Sequence, residues 1–167
     1  MTDSVIRRAR ASDLDALLGI YNHYVANTHV TFDIEPRTRE QRKVWLDGFS
    51  ERGRKQCFVA ERGGAAIGWA CSGAFKEKAA YETSVETSVY LAPVESGRGL
   101  GRKLYQNLLD ALAREDVHRA FGGIALPNEP SVGLHLALGF RHVGTYREVG
   151  RKFDRYWDVA WYERALA

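Results

Sequence analysis

The stretch VYLAPVESGRGLGRKL at residues 89–104 joins an apolar strand pattern to a helical pattern through three glycines at every second position. Glycine allows the backbone to turn tightly and to approach a ligand closely. The free N–H groups and the dipole at the start of a helix attract anionic oxygens. The stretch therefore predicts a strand, a phosphate-binding loop and a helix. The predicted cradle consists of Gly97, Arg98, Gly99, Leu100, Gly101 and Arg102.

Two familiar phosphate-binding motifs do not fit this stretch. A P-loop requires Gly-x-x-x-x-Gly-Lys-Ser/Thr, but Gly101 is followed by Arg102-Lys103-Leu104, which places no hydroxyl for magnesium. A dinucleotide-binding fingerprint requires Gly-x-Gly-x-x-Gly near the start of a βαβ unit and an acidic residue about 20 residues later. Here the spacing differs and the loop is in the middle of the chain. The pattern alone leaves an even choice between an anion-binding loop and a glycine-rich helix entry without a ligand.

Hydrophobic periodicity on both sides of the loop alternates between helical and strand spacing. Helices are predicted from Ser12-Asp13 onward and at 38–49, 100–114 and 131–138, with Val44, Trp45 and Phe49 on one side of the second. Strands are predicted at 5–8, 57–61, 65–75, 83–91, 120–126, 140–146 and 156–163. We therefore expect one α/β domain over residues 1–167, with a mixed central sheet of about seven strands flanked by helices.

Composition limits the classes of function. A net charge of +3 over 167 residues is too small to indicate nucleic-acid binding, although a local basic patch for a phosphorylated cofactor fits. No apolar run approaches the roughly 20 residues that span a bilayer, so no membrane association is expected. Met1 to Arg10 is polar and basic, unlike a signal peptide, so we expect a cytoplasmic protein. Cys57 and Cys71 are expected to be buried, reduced thiols.

Two motifs resemble those of the GNAT acetyltransferases. The stretch from Val89 to Leu104 looks like their acyl-CoA-binding motif, Gln/Arg-x-x-Gly-x-Gly/Ala, with its small residues at Gly99 and Gly101. The first motif position is Ser96, which departs from the family but leaves the backbone cradle intact. A second signature is Asn128-x-x-Ser131-x-x-x-His135-x-x-x-Gly139-Phe140, in which His135 stands where the family often has tyrosine.

Four further segments narrow the resemblance to the phosphinothricin and methionine sulfoximine N-acetyltransferases. They are residues 20–24, 31–36, 85–90 and 126–132, and the likeness extends from Ile6 to Tyr162. It implies a GNAT fold, acetyl-CoA as co-substrate, a small amino acid as acceptor, direct transfer without a covalent acyl-enzyme, no metal, and a homodimer. The aromatic pairs Tyr156-Trp157 and Trp161-Tyr162 fit either a dimer interface or the core.

The resemblance assigns the general base to Glu86. Strand alternation puts Glu86 on the polar face of the strand before the loop, where the residue type alone suggests an ordinary solvent-facing glutamate. The matched family position carries the base, which takes the amine proton directly or through a water. In the family this strand bulges and diverges from the next, so the pantetheine arm pairs with its edge at Val89, Tyr90 and Leu91. Backbone N–H groups near Tyr90 or Leu91 would polarise the thioester carbonyl.

Two residues of the second motif have predicted cofactor roles. His135 is a candidate acid for the CoA thiolate, since imidazole has a reference pKa of about 6.5. Its alternative role is to hydrogen-bond CoA or to pack in the helix, because a thiolate leaves without an acid. The Asn128 amide is expected to contact the cofactor arm.

The implied substrate site contains a basic loop with aromatic walls. An ordinary charged loop is the alternative for its lysines. The implied contacts are Phe32, Lys76, Lys78, Tyr81, Thr87 and Ser88. Two other functions stay open at this point. One is acetylation of another amine, such as an aminoglycoside, a polyamine or a protein N-terminus, and the other is acyl-CoA sensing without catalysis.

Overall fold

The computed structural model describes residues 4–166, and within them seven strands and four α-helices form one α/β domain. The strands are β1 (Val5–Arg8), β2 (Cys57–Arg62), β3 (Ala65–Ala74), β4 (Ser84–Leu91), β5 (Arg119–Ala125), β6 (Arg141–Lys152) and β7 (Arg155–Ala165). The helices are α1 (Leu14–Asn27), α2 (Arg39–Asp47), α3 (Leu100–Leu112) and α4 (Glu129–Ala137). The predicted fold class, a mixed sheet of about seven strands flanked by helices, is confirmed.

The sheet has the order β1-β2-β3-β4-β5-β7-β6, and only the β4–β5 pair is parallel among the described strands. That pair is short, since it starts at Ser84↔Arg119 and ends at Glu86↔Phe121. Beyond this point β4 continues along β3 to Leu91, while β5 continues along β7 to Ala125. The two central strands therefore diverge immediately after Glu86 and open a cleft in the middle of the sheet.

Helices cover both faces of the sheet and create two apolar clusters. On one face, Leu104 and Leu108 of α3 are fully buried with Val85 and Ile124 of the sheet. On the other face, α1 and α2 pack on β2 and β3, and the cluster there is centred on Trp69. The divergence of β4 and β5 thus lies between two well-packed layers that fix the position of each strand.

The helix α2 is turned differently from the prediction. Trp45 and Phe49 do pack against the sheet, but the side chain of Val44 is 75% exposed and Arg42 is buried in its place. The guanidinium of Arg42 lies against aromatic rings. The periodicity of apolar residues could not indicate that a charged residue is buried at this position. The prediction for Val44 is therefore wrong.

The last two strands form a longer hairpin than the sequence predicts. The β6 strand continues six residues past the predicted end at Tyr146, and a two-residue turn, Phe153-Asp154, leads into β7. Both turn residues have positive φ, at 53° and 56°, as the primed hairpin turns require. Phe-Asp is not the usual sequence signal for such a turn, so its position was missed.

Both cysteines are free and buried, as predicted, and they face each other across β2 and β3. Burial raises the pKa of the Cys71 thiol to about 12, so Cys71 is protonated at neutral pH. It is a poor nucleophile in this state. Within residues 4–166, no helix has the length and apolar character needed to cross a membrane.

Candidate active site

The strand β4 separates the predicted site residues onto two faces. Glu86, Ser88 and Tyr90 lie on the face covered by α1 and α2, where the Tyr90 ring stacks on Trp69 at 5.0 Å between centroids. Thr87 lies on the opposite face, next to α3, and is 4% exposed. The structure therefore brings Glu86 and Ser88 together, and the prediction of Thr87 as a substrate contact is wrong.

Glu86 occupies the last paired position before β4 and β5 diverge. Its neighbours across the two ladders are Gly73, which has no side chain, and Phe121. The carboxylate is half-buried, and no hydrogen bond or ion pair involving it is formed within residues 4–166. Burial raises the pKa of Glu86, since desolvation penalises its charged form. A carboxylate in this state is a stronger base than an exposed one.

The edge of β4 past Glu86 has the geometry to bind an extended ligand. The Ala92 N–H donates to the Ile67 carbonyl at 2.8 Å, toward β3. Because an antiparallel ladder alternates its hydrogen-bonding direction, the N–H groups of Val89 and Leu91 point away from β3 and into the cleft. The predicted bulge is absent, since β3 and β4 pair in unbroken register. The cleft forms because β5 follows β7 instead.

The glycine loop has an open backbone at the start of α3. Gly97 and Gly99 have φ of 79° and 75°, and a Cβ added to either would meet nothing within 4 Å. Gly99 is the N-cap of α3, so no side chain caps the helix. The first bond into the helix is donated by the Lys103 N–H to the Gly99 carbonyl at 3.2 Å. The N–H groups of residues 100–102 are therefore free to bind anionic oxygens.

Two arginines supplement these N–H groups. Arg98 and Arg102 are exposed, and neither forms an ion pair with another described residue. A diphosphate needs close backbone approach, several donors and compensating positive charge. The loop provides all three, so its residues fit the diphosphate of acetyl-CoA.

His135 lies inside the protein. Its side chain is 5% exposed, its Nδ1 lies 2.8 Å from the Ser131 carbonyl, and its Nε2 lies 3.2 Å from the Tyr105 hydroxyl. A Cβ added to Gly122 of β5 would lie 2.4 Å from Nε2, so the ring packs directly on the strand backbone. Burial lowers the pKa of His135. This geometry favours the packing role over the acid role, both of which the sequence left open.

A buried chain of hydrogen bonds continues from His135 to β5. The Tyr105 hydroxyl is 2.6 Å from Thr87 Oγ1, which donates to the Phe121 carbonyl at 3.0 Å. The chain contains four contacts between polar groups, from the Ser131 carbonyl at one end to the Phe121 carbonyl at the other. When the imidazole is neutral, three protons are available for them, one each from Thr87, Tyr105 and His135. The chain ties α4, α3, β4 and β5 together at the point where the strands diverge.

Asn128 begins α4 close to the end of β5. Its Oδ1 accepts from the Ser131 N–H at 3.2 Å and caps the helix. No hydrogen bond of the Nδ2 group is formed within residues 4–166, so Nδ2 can donate to a ligand, and the predicted contact with the cofactor arm stays a prediction.

The basic loop lies at the other end of the Glu86 face. Lys76 and Lys78 are exposed, and Lys76 Nζ is 5.2 Å from the centroids of both Phe75 and Tyr81. The Phe75 ring stacks on Phe121, the neighbour of Glu86, at 4.2 Å. An aromatic cluster therefore connects Lys76 and Tyr81 to the Glu86 position. Lys78 contacts this cluster through its backbone, since its carbonyl accepts from the Tyr81 N–H at 2.9 Å.

Phe32 packs away from this cluster, in the loop between α1 and α2. A Cβ added to Gly150 of β6 would lie 2.1 Å from the Phe32 ring, so the two are in direct contact. Lys152 Nζ donates to the Thr31 carbonyl at 2.9 Å and fastens the same loop to the hairpin. Phe32 thus anchors the loop that covers the α1 side of the site.

A cavity of about 270 Å³ opens on the Glu86 face of β4, between that strand, β3, α1 and α2. Its lining residues are Tyr21, Asp33, Arg37, Gln41, Arg42, Trp45, Trp69, Cys71, Ser88 and Tyr90. Ser88 was predicted as a substrate contact, whereas Arg42 was missed. Arg42 belongs to no recognised motif, and its aromatic neighbours come from three separate parts of the chain.

The fold and the site define the class of protein: the chain belongs to the GNAT acetyltransferases, whose domain family matches residues 6–161. It is an acetyl-CoA-dependent N-acetyltransferase. A phosphinothricin N-acetyltransferase of Streptomyces coelicolor is 55% identical over 163 residues, covering 96% of this chain and 95% of the relative. An L-methionine sulfoximine/L-methionine sulfone acetyltransferase of Pseudomonas aeruginosa is 32% identical over 96% of this chain and 94% of the relative.

The same relationship holds in three dimensions. The crystal structure of a phosphinothricin acetyltransferase from Sinorhizobium meliloti in complex with AcCoA matches with a TM-score of 0.94 at 31% identity. The match covers 100% of this chain and 90% of that structure. The predicted family and co-substrate are thereby confirmed. Within residues 4–166, no group of three or more histidine, cysteine, aspartate or glutamate side chains is placed to hold a metal ion.

Proposed function

We propose that this enzyme acetylates the α-amino group of small amino acids with a tetrahedral polar side chain, of the phosphinothricin or methionine sulfoximine and sulfone type, with Glu86 as general base. The observation that carries the proposal is the half-buried carboxylate of Glu86 at the point where β4 and β5 diverge, which has no partner among residues 4–166. The names of the Streptomyces and Pseudomonas relatives support the substrate class.

The residues of the chain divide the reaction between them. An ammonium group has no lone pair, so Glu86 first takes a proton from the amine, directly or through a water. The backbone N–H groups of Val89 and Leu91 in the cleft orient the pantetheine arm and polarise the carbonyl. The glycine loop holds the diphosphate, and the Asn128 amide donates to the arm. When bound, acetyl-CoA would supply the acetyl group: the C–N bond would form as the C–S bond breaks, and CoA would leave as the thiolate and then take up the second proton lost by the nitrogen.

Transfer proceeds directly from the thioester to the amine. The cysteine nearest the site is Cys71, whose thiol is kept protonated by burial, with a pKa of about 12. An acyl-cysteine intermediate would need the thiolate. Glu86 has no nucleophilic partner to activate, so its role is proton removal from the amine.

The charge of the site favours anionic acceptors. Lys76 and Lys78 add positive charge near the Glu86 face, and the aromatic cluster of Phe75 and Tyr81 holds Lys76 there. A polyamine or an aminoglycoside would be repelled by these lysines. An amino acid with a free carboxylate would be attracted.

A CoA-release assay with an amine panel tests the proposal. The panel contains phosphinothricin, methionine sulfoximine, methionine sulfone, spermidine, an aminoglycoside and a peptide with an N-terminal alanine. We expect turnover of the first three at kcat/KM at least ten times that of the others. Preference for a cationic amine or the peptide would contradict the substrate class. Tight binding of acetyl-CoA without CoA release on any amine would indicate a sensory domain.

We further propose a cytoplasmic homodimer. Two free, buried thiols fit a reducing compartment. Trp157 and Tyr162 of β7 are buried, which leaves the exposed apolar side chains of the edge strand β6 and its hairpin as the contact surface. These are Val143, Tyr146, Val149, Phe153 and Tyr156. Light scattering after size-exclusion chromatography should give twice the 18.8 kDa chain mass, and Tyr146→Asp should weaken the dimer. A wild-type protein that stays monomeric at millimolar concentration would contradict the homodimer.

A further inference from the structure

Within residues 4–166, Arg42 of α2 is a buried cation without an anionic partner. It is 5% exposed, and its Nε and Nη2 atoms are buried with no hydrogen-bond acceptor among these residues. Unpaired buried guanidinium donors are costly, because desolvation is not compensated by new bonds. Arg37, which lines the same cavity, has a carboxylate partner: its Nη2 is 2.6 Å from Asp33 Oδ1. Of the two arginines that line the cavity, Arg42 is therefore the one whose positive charge is not paired with a carboxylate.

Three aromatic rings surround the guanidinium and hold it in place. The Arg42 Cζ atom lies 3.4 Å from the ring centroid of Trp45, 4.6 Å from that of Trp69 and 4.8 Å from that of Tyr21. Ring faces stabilise a cation, but they accept no hydrogen bonds in the guanidinium plane. Burial lowers the pKa of Arg42 to about 10, so the group is still charged at neutral pH. The cage thus holds a charged guanidinium at the wall of the cavity, with its Nε and Nη2 donors unpaired beneath the rings.

The position of the cavity relates Arg42 to the reacting amine. Ser88 lines the cavity beside Arg42 and is the next residue after Glu86 on the same face of β4. Residues two apart in a strand are separated by about 6.6 Å, twice the rise per residue. An amino acid whose amine lies at Glu86 would extend past Ser88 to place its anionic group at Arg42. Lys76 lies in the other direction along the sheet, past Gly73.

We propose that Arg42 is the anion-binding residue of the acceptor site, and that its guanidinium receives a carboxylate or phosphinate oxyanion of the amino-acid substrate. The inference rests on the proposed function, because it names a residue that selects the acceptor for that same reaction. The planar fork of arginine matches two oxygens of either anion, and because Nη2 is covered in the ligand-free protein, binding of both oxygens requires a small shift of the surrounding rings. The cavity of about 270 Å³ is large enough for one such group with its water.

Steady-state kinetics of Arg42→Gln test the inference, with Arg39→Gln as the matched control. Arg39 is on the same helix, is exposed, and pairs with Asp15 away from the cavity. We expect Arg42→Gln to raise the KM for the amino acid by about 10- to 100-fold while the KM for acetyl-CoA changes less than twofold. Arg39→Gln should change neither. Arg42→Lys keeps the charge but loses the fork, so its effect should be intermediate.

Two substrates distinguish the source of the anion. Methionine sulfone has its only anion at the α-carboxylate, whereas phosphinothricin also carries a phosphinate. An equal loss on both substrates assigns Arg42 to the carboxylate, and a loss confined to phosphinothricin assigns it to the phosphinate. Either pattern supports the inference.

An unchanged amino-acid KM in folded Arg42→Gln would overturn the inference, and so would an equal rise in the KM for acetyl-CoA. Circular dichroism establishes folding, and Arg42→Lys is judged by the same criteria if Arg42→Gln does not fold. If the wild-type enzyme turns over neither amino acid, the proposed function fails, and this inference fails with it. A failure confined to the Arg42 variants leaves the proposed function standing.

Discussion

Substitution of Gly99 by valine has two expected effects that can be measured separately: backbone strain, which lowers Tm, and weaker binding of acetyl-CoA, which raises Kd. Gly99 has φ of 75°, a left-handed conformation that costs an L-residue about 1–2 kcal/mol. An added Cβ meets nothing within 4 Å, so backbone strain is the main expected loss of stability in the free protein. At about 2–4 °C per kcal/mol for a chain of this size, Tm should fall by roughly 2–8 °C.

The effect on acetyl-CoA binding is separate from this strain and is read in the Kd, not in the Tm. The valine side chain would occupy the open space at the start of α3, where the diphosphate must approach the N–H groups. Loss of one charge-assisted hydrogen bond costs about 1.5–3 kcal/mol, or roughly 10- to 100-fold in Kd. Isothermal titration calorimetry measures the Kd for acetyl-CoA directly.

Gly53→Val is the matched control for this measurement. Gly53 lies in the loop between α2 and β2, has φ of 88°, and is also free of contacts within 4 Å of an added Cβ. It should lower Tm by a similar amount and leave the Kd for acetyl-CoA unchanged. Folded Gly99→Val protein that binds acetyl-CoA as tightly as Gly53→Val would refute the assignment of the cradle.

Three other substitutions test the surrounding residues. Lys76→Ala with Lys78→Ala should raise the KM for the amino acid by more than the KM for acetyl-CoA, and equal or absent effects would make these lysines an ordinary solvated loop. Thr87→Val should lower the free energy of unfolding by about 1–3 kcal/mol in urea, because it removes the two buried hydrogen bonds of the Thr87 hydroxyl, to the Phe121 carbonyl and with the Tyr105 hydroxyl, and a change confined to KM would contradict its packing role. His135→Gln should lower stability without moving the pH profile of kcat, since both ring nitrogens already have partners inside the protein, whereas loss of a pH-dependent limb would restore the acid role.

Local signals in the sequence were sufficient for the elements that carry the cradle. The alternation in β4 and the glycines at 97, 99 and 101 depend only on neighbouring residues, and the structure contains the strand, loop and helix in that order. The same alternation puts Thr87 on the face of Val85, so its assignment to the substrate came from the resemblance and not from the strand pattern.

The missed features depend on residues that are distant in sequence. Arg42 is buried because Tyr21 of α1 and Trp69 of β3 converge on it, and Trp45, three residues further along the same helix, completes the cage. The extension of β6 depends on pairing with β7 and on a turn with two positive φ angles, for which Phe-Asp gives no usual signal. Hydrophobic periodicity describes one helix or strand at a time. It contains no information about contacts between separate elements or about the φ angles of a turn.

The substitution Glu86→Gln tests the mechanism most directly, and the stability of this variant can be predicted from the pKa of Glu86. The folded pKa of Glu86 is raised, so its contribution to stability is present below the unfolded pKa and is lost as pH rises through the folded pKa. At neutral pH, glutamine should therefore be at least as stable as glutamate. The variant should fold and bind acetyl-CoA with an unchanged Kd.

The decisive measurement is the pH profile of kcat/KM for phosphinothricin in wild-type and Glu86→Gln protein. In the wild type, activity should rise with pH through the raised pKa of Glu86, because only the carboxylate accepts a proton. At neutral pH the variant should be slower by about 100- to 10,000-fold, and the deficit should narrow at high pH, where free amine is abundant. A variant that keeps full activity at neutral pH would show that Glu86 does not take the proton and would contradict the mechanism.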